Sequence, residues 1–193
     1  MARLAPEERK KVQKPLLWIG MASIVMTFAG LTSGYVVSRS ALKADSAWLE
    51  FQLPLEFTIA TAAIVISSIT MILARAAIRK DQQNKAALAL AVTLALGLAF
   101  LVLQYLGWKD LIDRGLFFTG PESNTAISWV YVITVLHWAH VISGVIVVIV
   151  TLVNTQKGKY QNGNTQGFSV SAIYWHFLDA LWIYLFIFLS FIR

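Results

Sequence analysis

Five apolar stretches, each about as long as a bilayer is thick, dominate this chain of 193 residues. A hydrocarbon core of about 30 Å needs roughly 20 residues of helix, at about 1.5 Å of rise per residue. The stretches at 16–37, 53–74, 86–106, 127–153 and 170–192 meet that length. The connections at 38–52, 75–85, 107–126 and 154–169 are short and polar, and leave no room for a soluble domain. With 58% hydrophobic and 13% charged residues, the chain is also too apolar for a water-soluble fold of this size. The expected fold is therefore all-α: one integral membrane bundle of five transmembrane helices, with 1–193 as a single domain and 1–15 as a basic N-terminal segment. A positive start before an apolar run also suits a signal peptide. The run 16–37 is too long for one, however, and no small-x-small cleavage site follows it, so it is expected to stay as the first span.

The net charge of +6 suits either nucleic acid or a membrane surface. Its distribution favours the membrane, with no nucleic-acid partner. Arg3, Arg9, Lys10, Lys11 and Lys14, the second connection (Arg75, Arg79, Lys80, Lys85) and the fourth (Lys157, Lys159) share one side of a five-span topology. Only Arg39, Lys43, Lys109, Arg114 and Arg193 fall on the other. Basic residues collect on the cytoplasmic face, which places the N-terminus in the cytoplasm. Trp18, Trp48, Trp108, Trp129 and Trp175 stand near span ends, as an aromatic belt would. The chain has no cysteine, which excludes disulfides and thiolate metal or iron–sulfur sites.

Within the spans only Glu56 and Asp179 carry formal charge. A charge at membrane depth costs about 2.5–3.5 kcal/mol on insertion scales, so it is kept where something pairs with it or uses it. His176 and Asp179 stand three apart in the last span, one helical turn, and share a face. His137 and His140 repeat that spacing in the fourth, with Gly144 one turn further on. Counting about 1.5 Å per residue from the two span ends brings His140 level with His176, and His137 level with Asp179. The expectation is one buried polar cluster of His137, His140, His176 and Asp179 between spans four and five, with Asp179 paired to His137 or His176.

Two chemistries are open for such a cluster: haem ligation by a histidine pair, or a hydrogen-bonded packing cluster. Three histidines allow at most one bis-histidine site, and no second pair exists for a transmembrane electron path. Ser67, Ser68 and Thr70 in span two permit close helix approach and hydrogen bonding across an interface. Glu56 is read as protonated or facing the interface, with Gln104 within reach of it. Broken helices and internal repeats, the marks of a transporter, are absent from the sequence. So are phosphate loops, nucleophile elbows and metalloprotease motifs.

Several of these residues fall into a known pattern. Span five reads Tyr174-Trp175-His176-Phe177-Leu178-Asp179, followed by Trp182. Span four reads His137-Trp138-Ala139-His140-Val141-Ile142, followed by Gly144. Span two carries Leu53-Pro54-Leu55, then Ser67-Ser68 and Thr70, and span three ends on Gln104 and Trp108. Over nearly its whole length the chain resembles subunit III of the haem–copper oxidases (cytochrome c oxidase), in its short five-helix form. That resemblance implies an accessory subunit with no catalytic residue, metal or redox cofactor of its own, haem and copper residing in subunit I. It implies partnership with subunit I, subunit II and the small oxidase subunits, and a place in a respiratory supercomplex. It further implies bound phospholipid, support of oxygen delivery and proton uptake, and residence in the bacterial cytoplasmic (inner) membrane. Glu56, Ser67, Ser68, Thr70, Gln104, Trp108, Trp175 and Trp182 are the candidate lipid or subunit contacts. The five-span accessory protein of a nitric oxide reductase system and a small haem-binding membrane cytochrome remain the alternatives. Two positions depart from the family pattern. Ile24 follows Ser23 where the family usually has a buried glutamate, and Gly107 stands where an acid precedes Trp108. The reagent and headgroup contacts of those acids do not carry over; Glu56 is a candidate local substitute.

Overall fold

A computed structural model describes residues 6–44, 48–121, 123–161 and 165–192. Arg3 and Arg193, counted above for orientation, lie outside them, as do the side chains of Arg9, Lys10 and Lys11. The described residues form five helices: α1 (Pro6–Ala44), α2 (Leu55–Arg79), α3 (Gln83–Asp113), α4 (Thr125–Gln156) and α5 (Gln166–Phe191). Each is long and apolar enough to cross a membrane. Three of the five, α1, α3 and α4, overrun the apolar stretches at both ends, because the polar flanking residues still propagate a helix once the chain has left hydrocarbon. α1 is the extreme case, at 39 residues, and it continues through Pro15, which supplies no N–H to the turn before it.

The connections are set by local chemistry. Asp81 turns the chain between α2 and α3 with a φ of 54°, a left-handed conformation that Asp tolerates better than most residues. α3 ends at Gly115, where the Leu116 N–H reaches the Leu111 carbonyl at 2.9 Å and the Gly115 N–H reaches Ile112 at 2.9 Å. α4 ends the same way at Gly158. Both glycines have positive φ, as this capping motif requires. Asn124 opens α4 by accepting the Ala126 N–H on its side chain at 2.8 Å.

Helices α2 to α5 close a ring: α2 lies on α3, α3 on α4, α4 on α5 and α5 back on α2. α1 stands outside, in the groove between α4 and α5, and has no backbone approach to α2 or α3. The α2–α3 seam is the most extensive. Its buried positions are Phe57, Ala60, Ile64, Ser67, Met71, Ala74 and Ile78 on α2, and Ala86, Leu90, Thr93, Gly97, Phe100, Gln104, Gly107 and Leu111 on α3. Steps of three and four alternate on both helices, the spacing that keeps a left-handed helix pair in register. Most residues here are apolar, so the seam shows in size rather than hydropathy: Gly107 of α3 faces the Phe57 ring of α2.

Candidate functional site

The interior is organised on the last span. Trp175 is 1% exposed and lies on the axis of the four-helix ring. Its six-membered ring is pressed toward α3 and α4. A β-carbon on Gly97 would lie 2.6 Å from Cη2 of Trp175, and one on Gly144 would lie 3.4 Å from its Cε3. Its Nε1–H points the other way and donates to Ser67 Oγ of α2 at 3.1 Å. One side chain thus touches all three other helices of the ring and fills the α3–α5 diagonal, where the backbones do not meet. One seven-residue repeat further along α5, Trp182 donates to Thr61 Oγ1 at 2.9 Å. It also meets Phe57 and Phe100 edge-on, with centroids 6.1 and 5.1 Å away.

The same device recurs at other seams. Trp108 Nε1 donates to Thr134 Oγ1 across α3–α4 at 3.0 Å, and Trp129 Nε1 to Ser38 Oγ across α1–α4 at 3.1 Å. Tyr174 and Ser143 share a 2.6 Å bond across α4–α5, and Thr70 and Thr93 a 2.7 Å bond across α2–α3. Most of these hydroxyls also bond the carbonyl of their own preceding turn: Ser67 to Ile64, Thr61 to Phe57, Thr134 to Val130. That bond satisfies the hydroxyl hydrogen inside the helix and leaves the oxygen to accept from a neighbour.

The expected four-residue cluster is not one seam in the structure. His176 turns to α2, where its Nδ1 lies 2.7 Å from Ser68 Oγ. His137 is buried and stacked on Trp182 at 5.2 Å, with Phe28 of α1 and Phe100 of α3 edge-on to it. His140 binds the Leu136 carbonyl of its own helix at 2.7 Å and meets Phe28. Asp179 is 2% exposed, and neither of its oxygens nor either His137 nitrogen has a hydrogen-bond partner. Asp179 is therefore not hydrogen-bonded to His137 or His176. The depth matching holds, since Tyr174 meets Ser143 and Trp182 meets His137. Azimuth separates the groups, because one turn of helix spreads its side chains over three different neighbours.

Other expectations are also corrected. Gln104 is fully buried with both amide atoms unpartnered, so it is not bonded to Glu56. Glu56 sits half-buried in the first turn of α2. The backbones of α1 and α2 do not approach one another, so Glu56 does not share a backbone seam with position 24. At Gly107 the Phe57 ring occupies the space a β-carbon would need, so a glutamate there would displace that ring. Of the five belt tryptophans only Trp18 is exposed; Trp48 and Trp175 are buried, and Trp108 and Trp129 bind hydroxyls inside the bundle. Sequence reasoning also missed Thr61, Thr93, Thr134, Ser143 and Gly97. For Thr93 a signal was present: Ala60, Ser67 and Ala74 on α2, and Ala86, Thr93 and Gly107 on α3, are small residues that recur at multiples of seven.

α1 is the loosely held member. Two hollows flank it. The larger, about 720 Å³, lies between α1, α4 and α5 and is lined by Leu17, Gly20, Ile24, Val150, Asn154 and Tyr160, among others. The buried hydroxyl of Ser171 also faces it and has no partner. The smaller, about 380 Å³, is apolar and lies between α1 and α5 at Phe28, Phe177 and Leu181.

Interhelical tryptophan–hydroxyl bonds, an aromatic core and a buried histidine stacked within it define a multi-pass helical membrane subunit. Among the described residues no group of three or more His, Asp or Glu is placed to hold a metal ion. The family model described as Cytochrome c oxidase subunit III matches residues 21–192, and the chain belongs to that family. It is 28% identical to the cytochrome c oxidase subunit 3 of Corynebacterium diphtheriae, over 98% of this chain and 95% of that one. It is 31% identical to a probable cytochrome c oxidase subunit 3 of Nocardia farcinica, over 92% and 86% of the two chains. A probable quinol oxidase subunit 3 of Staphylococcus haemolyticus is 29% identical over 70% and 66%. The chain is thus an accessory subunit of a haem–copper oxidase and associates with the other oxidase subunits. Neither the nitric oxide reductase alternative nor the haem-binding cytochrome is supported by these matches.

Proposed function

We propose that this chain, as one subunit III-like domain in the bacterial inner membrane, stabilises the catalytic subunit I of its oxidase by supplying a preformed bundle and a lipid-lined flank. Subunit I holds the haem and copper; this chain contributes packing, lipid binding, and support of oxygen delivery and proton uptake. Subunit II and the smaller subunits are its further neighbours, with a respiratory supercomplex as the wider setting. The N-terminus faces the cytoplasm, in keeping with the excess of Lys and Arg on that side.

The observation that carries this reading is the hollow between α1, α4 and α5. Its walls are aliphatic, and Asn154, Tyr160 and the unpartnered Ser171 hydroxyl stand at one end. Apolar walls suit an acyl chain, and hydroxyl and amide groups suit a headgroup or its ester oxygens. Lys14 and Lys157, near the same end of the bundle in sequence, favour an anionic phospholipid. Gly20 lines the hollow with open space where a β-carbon would stand. The oxidase purified through a tag on this chain should carry subunit I and retained phospholipid by native mass spectrometry. Gly20→Phe should remove lipid and shorten active lifetime under turnover while leaving initial turnover per haem near normal. Loss of lipid with unchanged lifetime would refute the stabilising role. Absence of subunit I from the preparation would refute the assembly.

A further inference from the structure

The end of the α2–α3 hairpin that carries Arg79, Lys80 and Lys85 holds a hollow of its own, remote from α1. It measures about 440 Å³ and is lined by α2, α3 and their connection alone. Leu73, Leu88 and Val92 stand exposed along it. The short side chains of Ala76, Ala77 and Ala89 lie among them, so the surface is dished into a trough. Thr70 closes the far end, and its hydroxyl is already engaged with the Ser67 carbonyl at 2.8 Å and with Thr93 Oγ1 at 2.7 Å. Lys80, Gln82 and Lys85 stand at the near end. The trough is therefore apolar for most of its length and cationic at one end.

Its length and its charge point to one kind of occupant. Ten residues separate Thr70 from Lys80, and a helix rises about 15 Å over that interval. That is half of a hydrocarbon core of about 30 Å, so the trough spans one leaflet and its cations stand where headgroups begin. Those cations are not neutralised within the chain. Asp81 is the one acid of the connection, and among the described residues neither Lys80 nor Lys85 forms an ion pair with it or with any other acid. The pairs Lys43–Glu50 and Arg114–Asp110 lie at the opposite end of the helices. A soluble anion gains nothing from the apolar walls, and a zwitterionic lipid brings no net charge to the lysines. An anion that carries its own hydrocarbon satisfies both ends.

We propose that this trough binds one anionic phospholipid of the cytoplasmic leaflet. An acyl chain lies against Leu73, Leu88 and Val92, and the Lys80 and Lys85 ammoniums hold the phosphate. The site is separate from the hollow between α1, α4 and α5 and takes only the cytoplasmic orientation from the reading above. A lysine close to an anionic headgroup strengthens binding about fivefold, so the pair discriminates an anionic from a zwitterionic lipid by about 25-fold.

Native mass spectrometry of the full chain tests it, by titration with phosphatidylglycerol and with phosphatidylcholine of the same acyl chains. Gly20→Phe is present throughout, which keeps the result apart from the hollow beside α1. The chain should prefer phosphatidylglycerol. Lys80→Gln and Lys85→Gln should each cut that preference about fivefold and together about 25-fold, while Lys80→Arg with Lys85→Arg should keep it. Arg79→Gln removes a cation from the same end that does not line the trough, and should change the preference less than about twofold. Ala76→Phe obstructs the trough and should weaken binding of both lipids. Equal affinity for the two lipids, or an unchanged preference in the double lysine-to-glutamine variant, would overturn the site. An equal loss in Arg79→Gln would overturn it by assigning the preference to diffuse surface charge. Displacement of the lipid by inorganic phosphate would overturn it by leaving an anion site with no acyl chain. The same titration of the purified oxidase should reproduce the effect of the lysine variants; its absence there would give the trough to a partner subunit and overturn the lipid assignment.

Discussion

Gly97 and Gly30 are both helix-interior glycines in apolar spans, yet they should respond oppositely to alanine. A β-carbon on Gly97 would lie 2.6 Å from Trp175 Cη2 and 3.2 Å from Cζ2, whereas Gly30 has nothing within 4 Å. Carbon–carbon contact is comfortable from about 3.5 Å, so Gly97→Ala demands a displacement of about 0.9 Å. The indole cannot tilt freely. Its N–H is fixed on Ser67, and its other edge rests against the space left by Gly144. Overpacking of this kind costs about 1–3 kcal/mol. The intrinsic gain of alanine over glycine in a helix, about 1 kcal/mol, applies to both sites and cancels in the comparison. Gly97→Ala should therefore be less stable than Gly30→Ala by about 1–3 kcal/mol, a factor of about 5–150 in the unfolding equilibrium. The assay is reversible SDS unfolding of the chain in mixed micelles, followed by circular dichroism. Trp175→Phe removes the clashing ring, so adding it to Gly97→Ala should cost less than adding it to wild type. Equal stability of the two alanine variants, or strict additivity of the double mutant, would refute the assignment of Trp175 to the ring axis.

Three further outcomes follow from the fold. Thr61→Val and Ser67→Ala each remove the acceptor for one tryptophan N–H and should cost about 0.6–1.7 kcal/mol, near the range of polar pairs in membranes, in the same unfolding assay. Reporter fusions after Arg79 and Lys159 should read as cytoplasmic and one after Gly120 as external; a cytoplasmic Gly120 would overturn the orientation. The chain expressed alone with ample haem should show no stoichiometric Soret band, since His137 is stacked on Trp182 and His140 and His176 are engaged elsewhere. A band abolished by His140→Ala or His176→Ala would contradict that packing.

The amino-acid sequence by itself determined the number of spans, their order and the depth of each polar group. Those quantities depend on apolar length and a fixed rise per residue, both of which are local. It therefore placed His137 level with Asp179, and His140 level with His176. The direction in which each residue faces was not local. In a soluble helix the polar face marks the outside, but here the lipid-facing side is as apolar as the core, and hydropathy carries no azimuth. Only the closing of α2 to α5 into a ring decided that His176 turns to Ser68, that His137 lies flat on Trp182, and that Asp179 is left without a hydrogen-bond partner. The same closure put Trp175 on the axis instead of at the membrane surface, because the gaps at Gly97 and Gly144 come from two helices that the sequence does not show to be neighbours. Size complementarity across three chain segments made that choice, and it exists only once the segments have met.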